Sequence, residues 1–353
     1  MNRPTHGGNL NWASAIAGCS VSLITDFSAS INPLGPPASA IAAMQSAFSQ
    51  VRNYPDPNYE TLRAALGQWH NVSPDWILPG NGSAELLTWA CRELSSLDHT
   101  CLLTPAFSDY GRALKAFSAK IKPYPLIPAE GMSLKLNFPS DSISKGLILN
   151  NPHNPTGKLF TLEEITPHLD KFALVVVDEA FMDFLPPAQQ QSLIALLPIY
   201  DNLIILRSLT KFYSLAGLRI GYALSHPARL SRWQKWRDPW SVNILSEVAS
   251  IACIRDEAFQ TSTYKWLIPA REKLFSSLAS IPGLQPFPGA ANFLLVRCRQ
   301  SCLPLQEYLL RQHKIYIRDC VSFPELGENY FRIAVRAESD NERLVSSLVS
   351  YFA

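Results

Sequence analysis

Between about residue 76 and residue 224, short apolar runs alternate with stretches whose apolar residues recur at helical spacing, and this alternation constrains the fold more than any other feature. Runs such as Gly146-Leu147-Ile148-Leu149, Phe172-Ala173-Leu174-Val175-Val176-Val177 and Leu203-Ile204-Ile205-Leu206 have the pattern of strands buried on both faces. Thr161-Leu162-Glu163-Glu164-Ile165 opens one of the helical stretches between them. Strands separated by helices run parallel and are covered by those helices, so the pattern predicts an α/β fold with a mainly parallel sheet. Ligands of such sheets bind in the crevice beyond the carboxyl ends of the strands. The residues that directly follow each apolar run are therefore the candidate site.

After the run 203–206 comes Ser208-Leu209-Thr210-Lys211-Phe212-Tyr213-Ser214-Leu215-Ala216-Gly217-Leu218-Arg219. A lysine held at the end of a rigid strand can anchor a carbonyl cofactor covalently, while Ser208, Thr210 and Arg219 offer hydroxyl and guanidinium groups to a phosphate monoester. The segment reads as a pyridoxal-phosphate lysine loop. The run 172–177 ends in Asp178 and Glu179, and Asp178 could pair with a pyridinium nitrogen and keep it protonated. Asn150-Asn151-Pro152-His153-Asn154-Pro155-Thr156-Gly157 is a rigid turn that would face the Asn154 amide toward a phenolic oxygen. Pro79-Gly80-Asn81-Gly82-Ser83-Ala84-Glu85 opens a helix-patterned stretch, so backbone N–H groups at Ser83 and Ala84 could receive an anion; Ser83 could equally be a simple N-cap. Phe107, in Pro105-Ala106-Phe107-Ser108-Asp109-Tyr110 after the strand Cys101-Leu102-Leu103, could lie against a ring face or simply fill the core.

In this order and at these separations, the five segments resemble those of fold-type I pyridoxal-phosphate enzymes of the class I/II aminotransferase superfamily, from about residue 25 to the end. The resemblance implies a large cofactor domain over residues 40–255 and a smaller α+β domain formed by residues 1–39 and 256–353. It implies pyridoxal 5'-phosphate as cofactor, with Lys211 as its covalent anchor, Asp178 on the ring nitrogen, Asn154 on the ring oxygen and Phe107 stacked. Ser83, Ala84, Ser208 and Arg219 would hold the phosphate. A homodimer is implied too, with Tyr54 reaching the neighbour's cofactor phosphate.

The stretches His6-Gly7-Gly8-Asn9-Leu10 and Asp26-Phe27-Ser28-Ala29-Ser30-Ile31-Asn32-Pro33-Leu34-Gly35-Pro36-Pro37 are similar to those of the L-threonine-O-3-phosphate decarboxylases of cobalamin biosynthesis, close relatives of the histidinol-phosphate aminotransferases. The carboxyl end agrees, with Ile315-Tyr316-Ile317-Arg318-Asp319-Cys320 and Tyr330-Phe331-Arg332-Ile333-Ala334-Val335-Arg336. Arg318 and Arg332 fall in short, mostly apolar strands where an unpaired guanidinium is costly, and two anionic substrate groups would satisfy them. The substrate-side set implied by this resemblance is His6, Gly7, Arg318 and Arg332. Two positions depart from the pattern: Ser30 stands where the decarboxylases usually carry asparagine, and Phe181 where the aminotransferases usually carry tyrosine. The expected reaction is decarboxylation of L-threonine O-3-phosphate to (R)-1-amino-2-propanol O-2-phosphate. Transamination of histidinol phosphate is the alternative, and a non-catalytic cofactor-binding regulatory module is a third reading without an attached DNA-binding segment to support it.

Composition limits the remaining classes. With 353 residues, 47% of them hydrophobic, the chain can bury a large core. A net charge of +2 gives no broad basic field for nucleic acid, so the interleaved Trp233, Trp236, Arg237 and Trp240 read as a packed helical face. Seven cysteines show no CxxC pair and no metal-like clustering with histidine, which predicts reduced thiols and no metal. No signal pattern and no apolar run near 18 residues is evident, so no membrane contact is expected and the cytoplasm is the expected location. Beyond residue 240 the pattern predicts long helical stretches interrupted near Pro269. Strands at 291–298, 315–319 and 330–335 then bracket a helix at 305–313, and a last helix spans 340–352.

Overall fold

A computed structural model describes residues 3–126, 136, 138 and 144–353. Its centre is a seven-stranded sheet in the order Ile77–Asn81, Ile220–Ser225, Leu203–Ser208, Leu174–Asp178, Gly146–Asn150, Thr100–Thr104, Ile121–Pro125. Only Ile220–Ser225 runs against its neighbours, and the other six strands share one direction. Both edge strands contain prolines, Pro79 on one side and Pro123 and Pro125 on the other, where a missing N–H costs no ladder bond.

Alternate residues of the central strands feed two cores. Val175 and Val177 join the large cluster with Leu147, Leu149 and Ile205, while Leu174 and Val176 join Ile148, Ile204 and Leu206 against helix Ser83–Leu94 and helix Ser108–Ala116. Strands covered on both faces are what the continuous apolar runs require. Trp233 is fully buried in the second cluster, and Trp236 packs against that cluster.

The carboxyl-terminal part holds an antiparallel sheet ordered Arg318–Asp319, Tyr330–Ala334, Phe293–Cys298, Leu284–Pro286. The expected strand at 315–319 is in fact two, broken at Ile317: Ile315–Tyr316 pairs in parallel with Thr25–Asp26 instead. The amino-terminal segment is thereby stitched to the carboxyl-terminal part. Register places Arg318 directly opposite Arg332, and directly opposed residues point to one face. The expected interruption at Pro269 does not occur; helix Glu257–Ala279 runs through it, its buried Leu267, Leu274 and Leu278 holding both halves on one core.

Candidate active site

Six parallel strand ends and the start of the antiparallel strand lie along one rim, from which Ser83, Asn154, Asp178 and Lys211 follow, while the amino-terminal segment and the smaller sheet supply His6, Gly7, Arg318 and Arg332. The rim opens into a cleft of about 240 Å³ that brings together Ser83, Phe107, Asn154, Asp178, Lys211, His6, Gly7, Arg318 and Arg332. Ser30 and Phe181 line it as well.

Lys211 lies in the short helical turn Leu209–Phe212 directly after its strand. Its Nζ donates to Ser208 Oγ at 3.2 Å and Thr210 Oγ1 at 3.3 Å, and those hydroxyls are 2.7 Å apart. Burial lowers the lysine pKa; the Asp178 carboxylate opposes this, and the Arg219 and Arg332 guanidiniums add to it. An amine so placed loses its proton more readily than a surface lysine. Asn32 accepts through its carbonyl from Ser214 Oγ and donates its amide to Phe212 and Thr263, tying the amino-terminal segment onto the lysine turn.

Strand alternation separates the two acids that follow Val177. Asp178 faces the cleft and Glu179 the opposite side, where Glu179 Oε2 and Asp183 Oδ1 both bind the buried Arg207. Asp178 accepts from Tyr110 Oη at 2.7 Å and from the Ala180 N–H at 3.0 Å; burial raises its carboxyl, while Tyr110 and Lys211 lower it.

Around Gly82 the chain forms an anion cradle. Gly82, with φ 74° and ψ 160°, is itself the residue before helix Ser83–Leu94, so Ser83 begins the helix rather than capping it. A Cβ on Gly82 would stand 2.7 Å from an Arg219 terminal nitrogen, and one on Gly221 would stand 2.5 Å from the Ser83 nitrogen. The Arg219 guanidinium and the Ser83 backbone nitrogen thus lie against glycines, and Gly221 pairs across the sheet with Ser208, whose hydroxyl and that of Thr210 hold Lys211. This donor set fits a phosphate monoester beside a carbonyl that Lys211 can engage, and an acid beyond it fits a protonated ring nitrogen. Pyridoxal 5'-phosphate has these three groups.

At the other end of the cleft, Arg332 donates to Asn154 Oδ1 at 2.5 Å and to the Ser28 carbonyl at 3.2 Å, and its guanidinium lies 5.1 Å from the Phe293 ring centre. Spending the Asn154 oxygen on Arg332 leaves the amide nitrogen as the group that faces any ring oxygen. Burial, reinforced by Arg318, pushes the Arg332 pKa down to about 10, so it is cationic at neutral pH. Arg332 Nε and Ser30 Oγ are buried without a hydrogen-bond partner. Arg318 donates to the Thr5 carbonyl and Ser322 Oγ and pairs with Asp319 at 3.4 Å.

His6 and Gly7 arrive on an amino-terminal strap. His6 stacks obliquely on Phe107, ring centres 5.4 Å apart, with Nδ1 3.4 Å from Ser108 Oγ; burial lowers its pKa. Gly7 is dictated by space, since a Cβ would sit 2.1 Å from the Ser28 carbonyl oxygen, and the Gly8 N–H donates to Ser28 Oγ.

Five expected residues do not line this cleft: Ser208 and Thr210, whose hydroxyls hold Lys211 Nζ, Arg219, which lies against Gly82, and Ala84 and Tyr54. Ala84, in the first turn of helix Ser83–Leu94, lines a neighbouring pocket with Asn81 and Trp240, and Tyr54 is 78% exposed and packs on Trp240 at 4.5 Å. Sequence reasoning missed Tyr110, Ser28 and Phe323. Tyr110 alone had a signal, its place three residues after Phe107 on one helix face.

A half-buried lysine, a half-buried acid and an anion cradle on the carboxyl rim of a mostly parallel sheet define the class, an enzyme of the fold-type I pyridoxal-phosphate kind. Residues 23–348 match the family model for aminotransferase class I and II, and the chain belongs to that family. It is 37% identical to the threonine-phosphate decarboxylase of Salmonella typhimurium, with 97% of this chain and 95% of that protein covered. It is also 32% identical to histidinol-phosphate aminotransferase 2 of Nitrosospira multiformis, over 90% and 81% of the two chains. Among solved structures, histidinol-phosphate aminotransferase from Sinorhizobium meliloti in complex with pyridoxal-5'-phosphate has the same fold, with TM-score 0.84, 21% identity, and 98% and 94% of the two chains covered. No helix among the described residues is long and apolar enough to cross a membrane, and among them no group of three or more His, Cys, Asp or Glu could hold a metal ion.

Proposed function

We propose that the chain decarboxylates L-threonine O-3-phosphate, releasing carbon dioxide and (R)-1-amino-2-propanol O-2-phosphate. The observation that carries this reading is the pairing of Arg318 with Arg332. Two arginines directly opposite on adjacent strands repel and are both nearly buried; Asp319 offsets Arg318 only in part, and Arg332 keeps a buried Nε without a hydrogen-bond partner, so the pair favours added anions. A substrate with both a carboxylate and a phosphate supplies two. The 37% identity to a threonine-phosphate decarboxylase supports the same reading.

In this reading Lys211 anchors pyridoxal 5'-phosphate, Asp178 pairs with its ring nitrogen, Asn154 with its ring oxygen, and Phe107 packs on its face. Ser83, Ala84, Ser208, Thr210 and Arg219 serve its phosphate. Bound there, the cofactor supplies an electron sink for the bond that breaks at the substrate α carbon. Arg318, Arg332, His6 and Gly7 would hold the substrate so that the α carboxylate is the group set up to leave. Remote binding energy at the phosphate thus selects which bond breaks. Once the substrate amine has displaced it from the cofactor, Lys211 Nζ would be the group placed to return a proton to the α carbon after carbon dioxide leaves. The Phe181 ring, 5.7 Å from Lys211 Nζ, offers no hydroxyl to compete for it.

A second copy completes the site: Tyr54, exposed beside Trp240 and outside its own chain's cleft, would reach the partner's cofactor phosphate. Seven free cysteines suit a reducing cytoplasm. Histidinol-phosphate transamination stays as the second reading because several relatives carry that name at 31–32% identity. With L-threonine O-3-phosphate alone and no keto acid, the decarboxylase releases one carbon dioxide per substrate through many turnovers with its cofactor spectrum unchanged. An aminotransferase stops after one half-reaction with the cofactor in its amine form. Failure to release carbon dioxide, together with 2-oxoglutarate-dependent consumption of histidinol phosphate, would reverse the assignment.

A further inference from the structure

Tyr110 is a buried titratable group for which the reaction outlined above has no use. It lies on the inner face of helix Ser108–Ala116, 2% exposed, with Phe107 edge-on to its ring at 5.6 Å and 86°. Its O–H donates to Asp178 Oδ2 at 2.7 Å, and the Ala180 N–H takes Asp178 Oδ1. The ionisable groups facing the pair are Asp109, Cys91 and Lys211. Burial, and the Asp178 carboxylate after it, raise the phenol well above its ordinary range. It therefore remains a donor at every pH at which the enzyme would work.

We propose that Tyr110 is a positioning residue that acts through Asp178, holding that carboxylate anionic and aimed so that a proton shared with the cofactor's ring nitrogen stays on the nitrogen. The inference rests on Asp178 being the ring-nitrogen partner. A hydrogen bond donated to a carboxylate stabilises the anion over the neutral acid. Without it, the shared proton shifts toward Asp178 and the ring loses positive charge. Less charge on the ring raises the pKa of the nitrogen that joins Lys211 to the cofactor.

Tyr110→Phe removes one oxygen and keeps the packed ring. In the holoenzyme it should move the pH midpoint of the visible cofactor absorption upward and lower kcat about tenfold with KM little changed, the effect of losing one hydrogen bond to a charged group. In an Asp178→Asn background the same change should alter kcat by less than about twofold, because the group it acts through is gone. A ring-fluorinated tyrosine at position 110, a stronger donor of similar shape, should shift the midpoint the other way and carries the test should the phenylalanine variant misfold. An unmoved midpoint, or equal losses in both backgrounds, overturns the role of Tyr110. A near-normal kcat and midpoint in Asp178→Asn alone instead removes Asp178 from the ring nitrogen.

Discussion

Replacing Gly82 with alanine tests the anion cradle with two separable costs. The first is conformational: φ 74° with ψ 160° belongs to a region essentially reserved for glycine, and forcing a side chain into it costs about 1–3 kcal/mol. That cost falls on the protein whether or not cofactor is present, so it reads out as a lower thermal midpoint of the apoprotein. The second is steric. A methyl 2.7 Å from one Arg219 nitrogen and 3.3 Å from its Cζ displaces the guanidinium from the cradle. Losing one hydrogen bond to a charged group is worth about 1.5–3 kcal/mol. At about 1.4 kcal/mol per tenfold, cofactor affinity should fall roughly 10- to 150-fold. Titrating apoprotein with pyridoxal 5'-phosphate and following the visible band measures it. Gly217→Ala is the comparator, because Gly217 has no positive φ and a Cβ there meets nothing within 4 Å. A Gly82→Ala protein that binds cofactor as tightly as the Gly217→Ala protein would show that the phosphate does not sit against Arg219.

Lys211→Ala should abolish both the visible absorption of lysine-bound cofactor and turnover while the apoprotein stays folded; a cofactor still fixed to the chain by borohydride would move the anchor elsewhere. Arg318→Gln should weaken the phosphorylated substrate by about 2–5 kcal/mol while cofactor binding is preserved, read as KM against cofactor Kd. Arg332 makes a less clean probe, because its loss also frees the Asn154 side chain.

What the sequence made legible is what hydrophobic period and strand-end chemistry determine. The apolar runs gave the central strands, and the residues just beyond them, Asp178, Asn154 and Lys211, do meet at one rim. Strand direction was not legible. Nothing in the composition of Ile220–Ser225 distinguishes it from its parallel neighbours, yet its reversal is what brings Arg219 back to the rim beside Gly82. The break at Ile317 escaped for a related reason: Ile315-Tyr316-Ile317-Arg318-Asp319 reads as one short strand, and only tertiary pairing sends its two halves to different sheets. Pro269 misled because the local cost of a helical proline was outweighed by core contacts on either side of it. Tyr110 was missed because a phenol on an amphipathic helix is ordinary until its partner across the sheet is known.

The two acids after Val177 explain how one strand end can carry both structure and chemistry. Pleating sends Asp178 and Glu179 to opposite faces, so their environments are independent although they are adjacent. Glu179 takes Arg207, Ser192 Oγ and the Leu193 N–H, satisfying a carboxylate that is fully buried. Its partner Arg207 belongs to the neighbouring strand Leu203–Ser208, the strand that delivers Lys211, and also binds Asp183. This charge network joins the strand of Asp178 to the strand of Lys211. A buried pair of this kind adds little net stability, but displacing either strand end would leave an unpaired buried charge, which is strongly unfavourable. The spacing between acid and lysine across the cleft is thereby fixed by a charge network outside the cleft lining. Lys211 can then be held with a depressed pKa next to Asp178 without the two collapsing into a simple ion pair, because the Lys211 ammonium is already engaged by Ser208 and Thr210 and the Asp178 carboxylate by Tyr110 and Ala180.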